Sequence, residues 1–411
     1  MIGEIIAIGD ELISGRITNT TSVFAARHLF AAGHEIYAMH TIGDNPPLIG
    51  EVLKRAIRRV EFVLVTGGLG STTDDMTTEA VAEALDRAPT LYPEILERIR
   101  KHLDHGQEVG RLEKMAWLPE GAEVLNEKAR MAGYLLVHND VPIFFLPGVP
   151  WQMRELLLEH VLPRLAGIGG NHHRVRQCIY KTFGLSEIEI NQRLLQLEKK
   201  DFVHIGYYPV GCEVHVSLTV LHEDQQTADA TFADADAVIR RTLGEYLFGT
   251  DQQTLASVVG DLLGKQGKTL SVAESCTGGL IGKKLTDVAG SSAWFAGGVI
   301  AYSNHLKEVL LDVDHDLLKN YGAVSEQVAM AMAARLPAKI GANISVSVTG
   351  IAGPDGGSEE KPVGTVYIGL FHDNKVQARL HHFNGSREKI REVTACTALD
   401  TIRRVLLTGG N

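Results

Sequence analysis

Ser275, Cys276 and Thr277 form a polar tip between a β-prone run at residues 269–273 and the helical pattern Leu280-Ile281-Gly282-Lys283-Lys284-Leu285. The order strand, tip, helix start predicts free backbone N–H groups, and the positive end of the helix dipole, aimed at whatever sits beside Ser275. Gly278 and Gly279 would let a ligand approach the backbone closely. Such a turn suits an anionic ligand, or an oxyanion formed by attack on a carbonyl. Taken alone, S-x-T-G-G is equally consistent with a capped strand–helix junction. Tyr302, Lys307, Thr349 and Arg387 add polar groups at predicted strand ends or just after them, with Arg391 one helical turn beyond Arg387. No Asp or His follows a strand in a way that suggests a Ser-His-Asp triad. Lysine is the other base for a serine, because a desolvated amine can lose its proton near neutrality. Its usual pKa of about 10.4 must fall by several units, which requires burial beside Ser275. The helix dipole contributes at most ~2 kcal/mol, too little to ionise a serine hydroxyl unaided.

A second constellation lies nearer the N-terminus. Residues 2–8 are a nearly continuous apolar run, the pattern of a buried parallel strand, and end at Gly9-Asp10-Glu11. A helix is predicted from Asn19 to Ala32, a strand over 35–41 ending at Gly43-Asp44, a helix over 46–58, and a strand over 62–66. That strand runs into Gly67-Gly68-Leu69-Gly70-Ser71-Thr72-Thr73-Asp74-Asp75. Three strands therefore finish in Gly/Asp-rich turns, and ligands of open α/β sheets bind at such carboxyl ends. The glycines offer N–H groups to phosphates, and Asp10, Asp44, Asp74 and Asp75 could hold a divalent cation bridging them. Each aspartate alone reads more simply as a helix N-cap. A later strand over 141–146 ends at Pro147-Gly148-Val149-Pro150, and an amphipathic helix over 151–162 closes the unit.

Composition bounds the function class. With 411 residues, 45% hydrophobic and 22% charged, the chain is globular and long enough for two or three domains. A formal net charge of −10 argues against bulk binding to nucleic acid or acidic membranes. Four cysteines without C-x-x-C spacing (Cys178, Cys212, Cys276, Cys396) indicate neither a disulfide framework nor a zinc site. The start lacks a basic targeting region and no apolar run is long enough to span a bilayer, so a cytoplasmic location is expected.

The N-terminal motifs are recognisable. Gly9-Asp10-Glu11-Leu12-Ile13-Ser14-Gly15, Thr66-Gly67-Gly68-Leu69-Gly70 with Asp74-Asp75, and Leu146-Pro147-Gly148-Val149-Pro150 resemble the N-terminal domain of the CinA (competence/damage-inducible protein) family. That domain is similar in fold to molybdopterin-binding domains. The resemblance implies metal-dependent ADP-ribose pyrophosphatase activity, splitting ADP-ribose to AMP and ribose 5-phosphate. It implies a site of Asp10, Glu11, Asn19, Asp44, Gly67, Gly68, Gly70, Asp74, Asp75 and Gly148, with Asp44 and Asp75 on the metal. Two departures stand out. Ser71 replaces the family's usual proline, and the N-x-x-G-T-A-x-G loop is here Asn126-Glu127-Lys128-Ala129-Arg130-Met131-Ala132-Gly133. Side chains added to such a loop hinder a phosphate from nearing its backbone.

The resemblance is more specific at the C-terminal end. A-E-S-C-T-G-G, Y-S-N-x-x-K, G-A-V-S-E, T-G-I-A-G-P-x-G-G and K-P-V-G-T-V match the family's nicotinamide-nucleotide amidase domain. It implies hydrolysis of nicotinamide mononucleotide to nicotinate mononucleotide and ammonia, in pyridine-nucleotide salvage. By motif, Ser275 is the nucleophile and Lys307 the base, with Tyr302 and Thr349 supporting. Thr277, Gly278, Gly279, Asn304, Gly350 and Gly353 line the substrate site, and Arg387 or Arg391 holds the substrate phosphate. Cys276, though intrinsically the better nucleophile, ranks second as a small packed residue. No metal or other cofactor is expected for this reaction.

The expected fold class is α/β in three parts. A molybdopterin-binding-like α/β domain covers 1–166, a small KH-like α+β linking domain 167–249, and an α/β amidase domain 250–411. KH domains clamp nucleic acid with a G-x-x-G loop, and none is found between the middle helices. The basic cluster His172-His173-Arg174 with Arg176 reads as a solvated strand start. Small-molecule nucleotides are the expected ligands, with no membrane or direct nucleic-acid partner, and the family resemblance suggests a homodimer. Two other functions stay open: a competence or DNA-damage accessory protein acting through protein partners, and a molybdopterin-binding module.

Overall fold

A computed structural model describes residues 1–101, 112–126, 133–168 and 174–408. The interior of the 126–133 loop, the 169–171 stretch and the histidines at 172 and 173 lie outside the described residues. The chain divides into two compact units, Met1–Gln177 with Val220–Thr231, and Cys178–Thr219 with Phe232–Asn411.

The first unit is built on a six-stranded sheet. Its order is Glu35–Ile42, Ile2–Ile8, Phe62–Thr66, Val141–Leu146, Tyr134–His138, Glu123–Val124. The first four strands are parallel, and Tyr134–His138 is antiparallel to its neighbours. Successive side chains of a strand face opposite ways. Ile5, Phe62, Leu64 and Phe144 accordingly enter one apolar cluster, while Ile6, Ile8, Val63, Val65 and Phe145 enter another. Both faces of the central parallel strands are covered, which is why Ile2–Ile8, Phe62–Thr66 and Val141–Leu146 read as nearly continuous apolar runs. From Ile2–Ile8 the next strand lies on one side and Phe62–Thr66 on the other. The chain thus reverses direction at a crevice flanked by Gly9 and Gly67.

Helices fall close to expectation. Thr20–Ala31 is capped by Asn19, whose side chain accepts from Ser22 N–H, and Pro46–Ile57 is capped by Asn45. Asparagines therefore do the capping that the aspartates were candidates for. Two features were not foreseen. A four-residue helix, Asp10–Ile13, follows the first strand, and the predicted 151–162 helix changes to a π-helical turn at Leu157–Val161 before resuming.

Residues 174–250 supply a four-stranded sheet in the order Val203–Val210, Glu213–His222, Arg174–Thr182, Leu247–Thr250. Its helix Glu187–Leu194 starts at a full capping box between Ser186 and Glu189.

The second unit contains a five-stranded sheet in the order Phe295–Ile300, Leu270–Glu274, Ile344–Gly350, Thr365–His372, Lys375–His382. The first three strands are parallel and the last two antiparallel. Val272, Val346 and Ile368 pack into one cluster with Leu263, Leu399 and Ile402. On the opposite face Ser345 and Ser347 donate to the carbonyls of Ala333 and Ala329 in the helix Glu326–Ile340. A Cβ at Gly369 would stand 2.4 Å from the Ala329 oxygen, so small residues on this face let helix and sheet close up. Leu270–Glu274 has its sequence successor on one side and Ile344–Gly350 on the other. Ser275 therefore leaves the sheet where strand order reverses, the position at which such sheets bind ligands.

One expectation fails in this unit. Cys212 and Cys396, 184 residues apart, are joined as a disulfide. The spacing arithmetic could not pair cysteines so far apart.

Candidate active site

Leu270–Glu274 is buried along its whole length, and the turn after it is pinned to the neighbouring strand by Ser275 N–H donating to Val348 O at 3.1 Å. The tip curls back through Gly278 and Gly279, with φ of +58° and +92°, a backbone region that side chains disfavour. Gly278 N–H returns to the Ser275 carbonyl at 3.1 Å.

The expectation that the following helix offers its N–H groups to a ligand is overturned. Glu274, 1% exposed, turns its carboxylate into that helix end. Its Oε2 accepts from Gly279 N–H at 2.9 Å and Ile281 N–H at 3.1 Å, and its Oε1 from Gly282 N–H at 2.7 Å. The leading donors of Leu280–Thr286 are thus taken by an internal anion, which also neutralises the positive end of the dipole. Among the described residues, the N–H groups of Cys276 and Thr277 donate to no carbonyl oxygen. They are the backbone donors left at the tip.

Lys307 meets the condition set by the sequence. It lies on the helix Asn304–Leu311, whose N-cap Ser303 accepts from Leu306 N–H, and it is 1% exposed. Its Nζ is 3.0 Å from Ser275 Oγ, 2.9 Å from Ala301 O and 3.5 Å from Tyr302 O. No carboxylate pairs with it among the described residues. Burial penalises the ammonium form and pushes its pKa below the usual lysine value. The same burial pushes the Cys276 thiol up to about 11, so Cys276 is a poor thiolate and Ser275 holds the amine.

The remaining predicted residues separate into those at the tip and those spent elsewhere. Arg391 Nη2 donates to Thr277 O at 2.6 Å. Arg387 donates through Nη1 to Gly353 O at 2.6 Å and through Nη2 to Tyr302 Oη at 3.0 Å. Both arginines open the long helix Arg387–Thr408. The Tyr302 side chain is exposed, while its carbonyl faces Lys307. Thr277 is fully buried and its Oγ1 has no hydrogen-bond partner among the described residues. The Thr349 hydroxyl is committed to Ala323 O at 2.7 Å, so Thr349 braces a loop rather than facing a ligand. A Cβ at Gly350 would meet Val366, and Gly353 sits at φ +79°. Asn304 is the exposed first residue of the Lys307 helix.

In the first unit, a cavity of about 640 Å³ is lined by Glu11, Asp44, Gly67, Gly68, Gly70, Asp74, Asp75 and Gly148 among others. It opens where the parallel strand ends converge. Asp10 N–H donates to Asp44 Oδ2 at 2.9 Å and Asp44 N–H donates to Asp10 Oδ1 at 3.1 Å, so the two carboxylates tie the first two strand ends together. Asp75 Oδ2 accepts from Thr72 N–H at 2.9 Å and from the Thr72 hydroxyl. Burial raises the Asp44 pKa, and the charges of Asp10, Glu11 and Asp74 push the same way against the Asp10 N–H bond. The Asp74 carboxyl is lowered, chiefly by the Thr72 hydroxyl. Asn19, the helix cap bonded to Thr41 through Nδ2, does not line the cavity. An all-oxygen acidic set beside glycines suits a hard divalent cation. Asp44 and Asp75 would supply carboxylate oxygens to it.

Sequence reasoning missed Glu274 as a structural anion and Gln152 as a cavity-lining residue whose Oε1 is buried without a partner among the described residues. A glutamate closing the predicted strand before the Ser275 tip was the available signal for the first.

Residues 252–406 match the CinA C-terminal domain, 4–167 a molybdopterin-binding domain, and 177–249 the KH domain of the damage-inducible protein CinA. A CinA-like protein of Desulfotalea psychrophila is 54% identical over 407 residues, spanning 98% of both chains. A CinA-like protein of Geotalea daltonii is 40% identical over 99% of both. A protein of Caldicellulosiruptor saccharolyticus named as competence-damage inducible is 37% identical over 99% of this chain and 100% of its own. With relatives this similar matched end to end, the chain belongs to the CinA family.

Proposed function

We propose that the second unit hydrolyses the amide of nicotinamide mononucleotide, giving nicotinate mononucleotide and ammonia. The observation that supports this most is the buried, carboxylate-free amine of Lys307 at 3.0 Å from the Ser275 hydroxyl. A neutral Lys307 takes the Ser275 proton as Oγ attacks the carboxamide carbon. The oxyanion then forms beside the N–H groups of Cys276 and Thr277, where preorganised donors stabilise it. The Lys307 ammonium returns its proton to the departing nitrogen, releasing ammonia and leaving an acyl-Ser275 ester. Water, deprotonated by the same amine, cleaves that ester and restores the serine. Arg391, bonded to the Thr277 carbonyl, and Arg387, bonded to the Tyr302 hydroxyl, give the substrate phosphate a positive partner. Every proton moves between Ser275, Lys307, substrate and water, so the scheme calls on no metal or other cofactor. Ammonia release from nicotinamide mononucleotide by the full chain tests it against Ser275→Ala. Equal rates would remove Ser275 from the reaction.

The acidic cavity of the first unit favours a second activity, cleavage of the pyrophosphate of ADP-ribose to AMP and ribose 5-phosphate. A divalent metal bound there would polarise a phosphoryl oxygen as a Lewis acid. Asp44 and Asp75 would bind the ion, and Gly67, Gly68 and Gly70 leave room for phosphates against the backbone. Metal-stimulated AMP release, lowered about 10²-fold in Asp44→Asn, is the expected result.

A further inference from the structure

Outside both sites, one cluster of ligating side chains stands out. The oxygen or sulfur ligand atoms of Cys212, Glu392 and Cys396 lie within 4.8 Å of one another, the one such group of three among the described residues. Glu392 and Cys396 are four residues apart on the helix Arg387–Thr408, so they share one face. Cys212 reaches that face from the turn between Val203–Val210 and Glu213–His222. Its Cα is 7.1 Å from that of Cys396, beyond the roughly 4.4–6.8 Å that disulfides usually span. A backbone spacing of this size suits two thiolates sharing a cation. Beside the cluster is a cavity of about 630 Å³, lined by Cys212, Glu392 and His382, that can admit a fourth donor. Lys284 Nζ holds Glu392 Oε1 at 2.6 Å and leaves Oε2 to a metal.

We infer that the reduced chain binds one thiophilic divalent cation, of the zinc type, through Cys212, Cys396 and Glu392, and that the disulfide is the closed, metal-free form of the same site. Two thiolates, one carboxylate oxygen and an open fourth position form the ligand set that borderline-soft ions prefer. Interconversion balances with a low-molecular-weight disulfide as oxidant. One cysteine thiolate attacks it and releases a small thiolate. The second cysteine then displaces the other small thiolate, forming the Cys212–Cys396 bond and freeing the cation. Two electrons pass to the small disulfide.

The test uses the full chain, reduced by a phosphine without oxygen, with free thiols counted, and titrated with Co²⁺ as a spectroscopic probe and Zn²⁺ as competitor. One equivalent of Co²⁺ should produce an intense near-ultraviolet sulfur-to-metal band, displaced by Zn²⁺ and lost on adding oxidised glutathione. Loss of an outer-shell partner weakens metal sites about 10–100-fold, so Cys212→Ser and Cys396→Ser should each exceed about 100-fold. Cys212 sits on a partly exposed turn, which makes its serine variant the safer one to fold. The acidic cavity of the first unit would bind Co²⁺ through oxygen and give no such band. Cobalt bound without the band, a band unchanged in Cys212→Ser, or no binding by a chain with all thiols free would each overturn the inference.

Discussion

The Lys307 amine sits 3.0 Å from the Ser275 hydroxyl in a pocket that contributes main-chain carbonyls to it and no acid. An amine so placed gives up its proton more readily than one in water, and the hydroxyl beside it gains a base. Replacing Ser275 by Ala, or Lys307 by Met of similar length, should lower turnover of nicotinamide mononucleotide by at least about 10³-fold. Cys276→Ala should stay within about threefold, since a thiol titrating at about 11 is protonated under assay conditions. Steady-state ammonia release distinguishes these.

The same amine fixes the pH dependence. The reaction needs neutral Lys307, so kcat should rise with pH and level off above the lowered pKa. Stability follows with a definite sign. Between that lowered pKa and the ordinary value of 10.5, the unfolded chain binds a proton at this position that the folded chain does not. Stability contributed by Lys307 therefore rises with pH across this window, and below it the folded chain carries the full cost of a buried ammonium. Urea midpoints measured over pH should show Lys307→Met losing this rise.

Arg387 and Arg391 make distinct bonds and should fail in distinct ways. Arg391 also holds the Thr277 carbonyl, so Arg391→Ala should raise KM and lower kcat together. Arg387→Ala should act mainly on KM, by about 10–100-fold, the value of one charged hydrogen bond. Nicotinamide riboside, which lacks the phosphate, should be nearly indifferent to Arg387→Ala. Comparing the two substrates in each variant checks the assignment.

Glu274 should matter to the fold before it matters to chemistry. Glu274→Gln places an amide donor among three N–H donors and should cost about 1–3 kcal/mol, read from urea unfolding. Turnover should fall as the tip loosens, while the pH at which kcat levels off stays in place. A shift in that pH would mean that Glu274 acts on Lys307 directly.

In the first unit, Gly70→Ala would put a Cβ 2.4 Å from Asp75 Oδ2. Metal-stimulated ADP-ribose cleavage should drop at least about tenfold in Gly70→Ala and about 10²-fold in Asp44→Asn, with amide hydrolysis unchanged. Assaying both reactions on each variant separates the two sites.

Much of this was legible in the sequence because it depends on local signals. Strand runs such as residues 62–66 and 141–146 declare themselves by their apolar residues, and Asn19 marks a helix start by the side chain that caps it. The pairing of Ser275 with Lys307 could be stated as a requirement, namely burial of both together, before any geometry was known. What depends on return contacts was hidden. Glu274 ends a strand, where a glutamate reads as facing water, and only the chain's turn through Gly278 and Gly279 brings three N–H groups back onto it. Cys212 and Cys396 carry no local pattern at all. Asp10–Ile13 is too short for periodicity to mark, and the π turn at Leu157–Val161 is invisible to a 3.6-residue repeat.

The carbonyl oxygens of Ala301 and Tyr302 that cradle the Lys307 amine belong to the main chain, and every residue type brings one. Mutational drift at 301 and 302 can thus reshape the rim of the pocket, the exposed phenol included, without taking away the acceptors that seat the base. A site anchored in this way can change what it admits while keeping how it reacts.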